Sequence, residues 1–165
     1  MQFDLNIDRR GTHCSKWDSM ERIYGVSPDD GLAMWVADMD FRPPECVQKA
    51  LTGMTDHGVY GYIGEEDAYL STIQRWMSER HNWSIEKNWI FTTAGLVNGT
   101  AMCVDAFSKP GDGIVLFTPV YHAFARVIEA AERDVVELEL VNNAGRYEMD
   151  FDAYDSAMTG NESML

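Results

Sequence analysis

The chain has 165 residues, enough for one domain with its own core, and 45% of them are hydrophobic, as in ordinary globular proteins. Its 13 basic and 27 acidic residues give a net charge of -14, a surface that repels phosphate backbones and makes nucleic acid a poor partner, though acidity also serves plain solubility. No apolar run approaches the roughly 18 residues of a membrane span, and Met1-Gln2-Phe3-Asp4 does not begin a secretory leader.

The first forty residues carry turn signals at Gly11, at Gly25-Val26-Ser27-Pro28 and at Asp29-Asp30-Gly31, and read as an arm with little regular structure. Pro43-Pro44-Glu45 is a helix start, because proline fits the first turn and an acid suits the helix dipole there. Val47, Ala50, Leu51 and Met54 then form a helical stripe. His57-Gly58-Val59-Tyr60-Gly61-Tyr62-Ile63-Gly64 is too rich in glycine for a helix and reads as an ordered loop. From Glu66 to Arg80 apolar residues return at helical spacing (Tyr69, Leu70, Ile73, Trp76, Met77), behind an acidic first turn.

The pattern then alternates. Trp89-Ile90-Phe91-Thr92 reads as a short strand. Leu96 to Phe107 reads as a helix with Val97, Ala101, Val104 and Phe107 inward. Lys109-Pro110-Gly111-Asp112-Gly113 is a turn, and Ile114-Val115-Leu116-Phe117 is an apolar strand of the kind found inside parallel sheets. Tyr121 to Arg133 is a helix, Val135 to Val141 a strand, and Phe151, Tyr154, Ala157 and Met158 mark a last short helix. The order implies an α/β layered fold with covering helices. Met164-Leu165 reads as the entry to another buried strand, so the sequence is expected to stop in mid-domain; the other reading is a small protein with a frayed tail.

Four places invite chemistry. Thr92-Thr93-Ala94-Gly95-Leu96-Val97 lies where a strand gives way to a helix, and free N–H groups of a first helical turn beside small residues suit a phosphate; such turns also use small residues for packing alone. Phe117-Thr118-Pro119-Val120-Tyr121 lies beyond a strand's carboxyl end, where α/β sheets bind ligands, and Tyr121 could lie against a flat aromatic ligand or fill the core. Tyr60 and Tyr62 could donate to phosphate oxygens from their glycine loop, or simply pack. Met34 to Phe41 is an apolar run with two acids, Asp38 and Asp40; its plain reading is a strand leaving into a capped helix. Cys14, Cys46 and Cys103 lie too far apart for zinc spacing, which suits unpaired thiols in a reducing cytoplasm, and His13, His57, His81 and His122 are equally scattered, so no metal is expected.

In order and spacing, Asp8-Arg9-Arg10-Gly11-Thr12, Lys16-Trp17-Asp18, Val36-Ala37-Asp38-Met39-Asp40-Phe41, His57-Gly58-Val59-Tyr60-Gly61-Tyr62, Ala94-Gly95-Leu96-Val97 and Thr118-Pro119-Val120-Tyr121-His122-Ala123-Phe124 resemble the opening of the cystathionine β-lyase-like carbon–sulfur lyases, in the class I/II aminotransferase superfamily of fold type I. The resemblance covers nearly the whole chain. It implies pyridoxal 5'-phosphate (PLP) as cofactor, an amino-acid thioether as substrate, and β-elimination to a thiol, a keto acid and ammonia.

By the same resemblance, residues 1–42 are an N-terminal arm and small-domain segment, and 43–165 the first part of the large cofactor-binding domain. Gly95 and Leu96 would hold the cofactor phosphate through backbone N–H groups and Tyr121 would stack on its ring. Tyr62, and with it Tyr60, would reach the phosphate of the neighbouring subunit of a homodimer. Ala37 and Asp38 would lie near the substrate carboxylate, with Asp40 structural. The family's cofactor-linked lysine lies in a later segment and matches none of Lys16, Lys49, Lys87 or Lys109, so this stretch alone is expected to be inactive. An aminotransferase, or a non-catalytic binding or dimerisation module, are the competing readings.

Overall fold

In the computed structural model, which describes residues 3–165, the chain forms two compact units that divide between Gly64 and Glu65. The first contains three helices, α1 (Ser15–Asp18), α2 (Met20–Tyr24) and α3 (Glu45–His57). Two short helices thus punctuate the arm expected to be irregular. Pro44 stands at the N-cap of α3, as its fixed φ and missing N–H allow, and Gly58 ends the helix in the left-handed conformation, at φ +70°. The stripe on α3 is exposed at Val47, Leu51 and Met54, and residues 59–64 after it have no regular structure.

The second unit opens with α4 (Asp67–His81), whose Gln74 Nε2 donates to the Ile85 carbonyl at 2.8 Å, tying the helix to the segment that follows. The strand expected at 89–92 is absent. A single 3₁₀ turn occupies Lys87–Trp89, and Ile90 is extended, but among the described residues nothing pairs with it. Extended backbone becomes a strand only when a neighbour takes its hydrogen bonds.

From Gly95 onward the expected alternation holds. The elements are α5 (Leu96–Phe107), β1 (Gly113–Thr118), α6 (Ala123–Ala130), β2 (Asp134–Glu139), β3 (Val141–Asn143), β4 (Arg146–Glu148), α7 (Phe151–Ala157) and β5 (Glu162–Met164). β1 is the central strand of a parallel sheet ordered β2-β1-β5, and Met164 does enter a strand. Gly113 is squeezed between its neighbours: a Cβ there would stand 3.0 Å from Val136 Cγ2 and 3.3 Å from Glu162 Cγ.

Successive side chains of a strand point to opposite faces, and β1 uses both. Ile114 packs with Val104 of α5 and Ile128 of α6, with Leu116 against the same cluster; Val115 packs with Leu138 and with Tyr154 of α7, joined by Phe117. Helices therefore cover both faces, and this explains why β1 is apolar throughout. The Tyr154 hydroxyl donates to the Glu139 carbonyl at 3.0 Å, so its one polar atom is satisfied.

Three local expectations are revised. Val97 and Phe107, expected inward on α5, are exposed; Val104 is the α5 residue buried against the sheet. α6 is shorter at both ends than the apolar pattern: residues before Ala123 form the connection from β1, and Glu132 adopts φ +60° and ends the helix. Val141 belongs to a hairpin rather than to β2. Its two-residue turn has positive φ at both Ala144 and Gly145, the geometry that matches strand twist. Arg133 is buried and closes the far end of α5, donating to the Ser108 carbonyl at 2.8 Å and the Ser108 hydroxyl at 2.9 Å.

Candidate cofactor site

The α5 end of the second unit is built around Gly95. Its φ of +89° with ψ of 150° is open to glycine and strained for other residues, although a Cβ there would meet no atom within 4 Å. The requirement is therefore one of backbone conformation, not of space. The Gly95 N–H donates to the Thr93 carbonyl at 2.8 Å, and the Thr93 hydroxyl donates to the Gly95 carbonyl at 3.1 Å, which locks the turn. Gly99 permits this lock, because a Cβ on it would sit 2.9 Å from Thr93 Oγ1.

No side chain caps α5, and the first-turn amides of Leu96, Val97 and Asn98 have no acceptor among the described residues. Only α7 has such a cap among the described helices, Asp150 accepting from the Ala153 N–H at 3.0 Å. An uncapped first turn gathers several N–H donors and the positive end of the helix dipole at one point, a ready seat for an anion.

Tyr121 lies three residues beyond β1. Its ring meets Phe124 edge-on, with centroids 5.6 Å apart at 87°, and His122 at 4.9 Å and 65°, while the side chain as a whole is 55% exposed. Within this stretch the Tyr121 ring is braced by neighbours and open to solvent. α5 runs into β1 through only five residues and packs on the sheet, so it is antiparallel to β1 and its first turn lies at the carboxyl end of that strand. Thr100 near the start of α5 and Val120 and Phe124 beyond β1 line one apolar cleft of about 320 Å³. Gly95, Leu96 and Tyr121 thus share the end of the sheet at which α/β folds bind ligands.

These residues fit PLP in part. The α5 turn offers neutral donors and a helix dipole to a phosphate dianion, and the Tyr121 ring offers a flat apolar wall. Three of the four lysines are held in ion pairs. Lys49 pairs with Glu45 at 2.7 Å, Lys87 pairs with Asp67, Lys109 is exposed beside a turn, and Lys16 is buried in the first unit.

Ala37 and Asp38 belong to the first unit, in a network that joins the sequence's acidic and basic words. Arg9 forks onto Asp38, with Nη1 to Oδ1 at 2.9 Å and Nη2 to Oδ2 at 2.7 Å, and reaches Asp40 Oδ1 at 2.7 Å. Lys16 Nζ donates to Asp40 Oδ2 at 2.7 Å and to the Asp38 carbonyl at 2.6 Å, and Trp17 Nε1 donates to Asp40 Oδ1 at 3.1 Å. Asp18 accepts from the Gly11 N–H at 2.7 Å and the Cys14 N–H at 3.1 Å, which folds the arm around the pair. The Lys16 ammonium, with the Trp17 and Arg9 donors, holds the Asp40 carboxyl down at about 2, and the Arg9 fork likewise lowers that of Asp38. Asp40 is held by three donors in this geometry, and both Asp38 oxygens accept from Arg9, with the Cys14 thiol also on Oδ2 at 3.8 Å.

Sequence reasoning named Arg9, Lys16 and Trp17 as words of a motif and gave them no role. The signal available was the pairing of two basic words with an acidic one about 25 residues later. Tyr60 and Tyr62 are exposed in the first unit, and neither hydroxyl has a partner among the described residues. No helix among the described residues is long and apolar enough to cross a membrane, and no group of His, Cys, Asp and Glu among them could hold a metal.

The chain is similar to proteins of known structure and name. The chain is 36% identical over 159 residues to cystathionine beta-lyase PatB of Bacillus subtilis, covering 96% of this chain and 41% of that one. It superposes on cystalysin from Treponema denticola, whose crystal structure contains a pyridoxal 5'-phosphate cofactor, with a TM-score of 0.86 and 35% identity over 96% of this chain and 40% of that one. It also superposes on a PLP-bound putative aminotransferase from Clostridium difficile, with a TM-score of 0.87 and 32% identity over 94% and 40% of the two chains. The chain thus spans about two fifths of the length of the relatives it matches. Residues 32–164, which include the Ala37–Asp40 segment, the α5 turn and Tyr121, match the model of the aminotransferase class I and II family, and the chain belongs to that family.

Proposed function

We propose that the complete protein is a PLP-dependent carbon–sulfur β-lyase of the cystathionine β-lyase type, cytoplasmic and homodimeric, and that this stretch supplies its phosphate seat and ring wall without being active alone. The observation that carries the reading is the uncapped α5 turn at Gly95, set at the same end of the sheet as the exposed Tyr121 ring. The relatives named cystathionine beta-lyase and cystalysin support the choice of reaction.

In this reading the N–H of Leu96 and its first-turn neighbours donate to the phosphate and fix the cofactor's tail, while Gly95, expected to donate as well, has its N–H held by the Thr93 carbonyl and shapes the turn instead. Tyr121 bears on the ring, and the Phe124 edge keeps that side chain from turning away. Bound there, PLP supplies the electron sink that eases loss of the substrate's α-proton and departure of the β-thiolate. Ala37 and Asp38 stand at the substrate's carboxylate end. Tyr62, with Tyr60 beside it, reaches the phosphate held by the other subunit, so the site is completed by dimerisation. The base that moves the α-proton comes from outside this stretch, since none of Lys16, Lys49, Lys87 and Lys109 matches the family's cofactor-linked lysine.

The similarity to a putative aminotransferase favours a second reading, amino-group transfer on the same cofactor seat. Incubation of the complete protein with cystathionine separates the two. Stoichiometric release of thiol with keto acid and ammonia is the expected result. Transfer of the amino group to an acceptor keto acid, with no thiol released, would replace the lyase by the aminotransferase.

A further inference from the structure

One of the four histidines stands at the ligand end of the sheet. His122 follows Tyr121 directly and precedes α6. It holds the N-cap position of that helix without capping it. Its backbone is already helical, at φ -57° and ψ -21°, and its side chain takes none of the first-turn N–H groups. The side chain is exposed, and what it touches is a ring: the imidazole meets the Tyr121 ring at 4.9 Å and 65°. The turn that carries both residues is fixed from below. The Phe124 N–H donates to the Tyr121 carbonyl at 3.1 Å, Ala123 is 3% exposed, and Phe124 is half-buried, lining the cleft beside β1 with Val120. Two ring edges therefore bear on Tyr121, Phe124 from the packed side at 5.6 Å and His122 from the exposed one. Edge contacts at such distances are favourable beyond the area they bury. An exposed side chain held on one side only hops between rotamers within nanoseconds, and a second edge restricts it.

We propose that His122 is a positioning residue for the cofactor ring: with Phe124 it clamps the Tyr121 ring in one orientation, so that the flat wall stands ready before the cofactor arrives. This role rests on the reading of Tyr121 as ring wall but not on the choice between lyase and aminotransferase. His122 acts through Tyr121, and its imidazole touches neither cofactor nor substrate. A wall already in place spares the rotamer freedom that binding would otherwise take from Tyr121.

The test is a double-mutant cycle in the complete protein, read by its affinity for pyridoxal 5'-phosphate and by the visible circular dichroism of the bound cofactor. His122→Asn removes the ring edge and keeps a polar side chain at an exposed position. His122→Phe keeps the edge and removes the imidazole nitrogens. His122→Asn should weaken affinity about fivefold, roughly 1 kcal/mol, and lower the dichroism per bound cofactor about twofold, with the unfolding midpoint of the cofactor-free protein unchanged. His122→Phe should stay within about twofold of wild type in affinity. In the Tyr121→Ala background His122→Asn should change neither readout. The same loss in that background, no loss in the single variant, or no rescue by His122→Phe overturns the proposal. A His122→Asn protein that loses stability and affinity together also overturns it, since the role would then be structural; if that variant does not fold, His122→Ala repeats the cycle. Tyr121→Ala that binds the cofactor as wild type does removes the ring wall itself, and this role with it. Tyr121→Ala that weakens binding while His122→Asn does not removes this role alone and leaves the wall standing.

Discussion

The two units are held together by opposite means. In the second, burial is apolar and two-sided: Val104, Ile114 and Ile128 lie on one face of the sheet, and Val115, Leu138 and Tyr154 on the other. In the first, the buried apolar residues are Met20 and Ala33, and the centre is a charged frame of Arg9, Lys16, Asp38 and Asp40. The difference teaches how each unit holds its shape. In the second, the helices rest on a packed sheet. In the first, the loop segment 36–40 is fixed by hydrogen bonds and ion pairs, because it has little core to lean on.

The comparison breaks most visibly in the apolar unit. Ile128→Ala empties a site that is 1% exposed and should cost about 3 kcal/mol, read from denaturant unfolding, with faster amide exchange along β1 and β2. Lys16→Met removes one cation from the frame. It should cost roughly 1–2 kcal/mol, kept low by the one-third exposure of the Asp40 side chain, with faster exchange over residues 35–40 and little change in β1. Tyr154→Phe leaves the ring packed but strips the Glu139 carbonyl of its donor, for about 1 kcal/mol in the same unfolding assay.

Acid sharpens the contrast. The Asp40 carboxyl titrates at about 2 in the fold against an ordinary 3.8, so its stabilising contribution is complete above roughly pH 4 and is lost as pH falls through 2. Exchange over residues 35–40 should therefore accelerate between pH 4 and pH 2, while the apolar β1–β2 pair is unaffected. Glu162, also held down at about 2 by the Thr159 backbone N–H, should loosen β5 in the same window.

The same contrast explains what the sequence made legible. β1 could be read because burial on both faces makes it an unbroken apolar run, and α5 and α7 because apolar residues recur along them at helical spacing. Tyr121 stood out because it follows a strand and leads into a helix, and Gly95 because small residues open a helix there, although no strand precedes it. The charged frame has no period, so nothing local links Arg9 to Asp38 across 29 residues, and only the family resemblance set those words side by side. The strand expected at 89–92 failed for a related reason: composition marks a segment as able to extend, but pairing depends on a neighbour that local sequence does not name.

The central claim, that the α5 turn is a phosphate seat, is tested most directly by comparing pyridoxal 5'-phosphate with pyridoxal on the complete protein and its Gly95→Ala variant. The strained φ of +89° means that a side chain at 95 re-aims the first-turn amides without filling any space. Affinity for the phosphate form should fall tenfold or more, on the order of the 1.5–3 kcal/mol of a charged hydrogen bond, while pyridoxal binding stays within about twofold. An equal loss for the two forms, or an unchanged affinity for the phosphate, would contradict it.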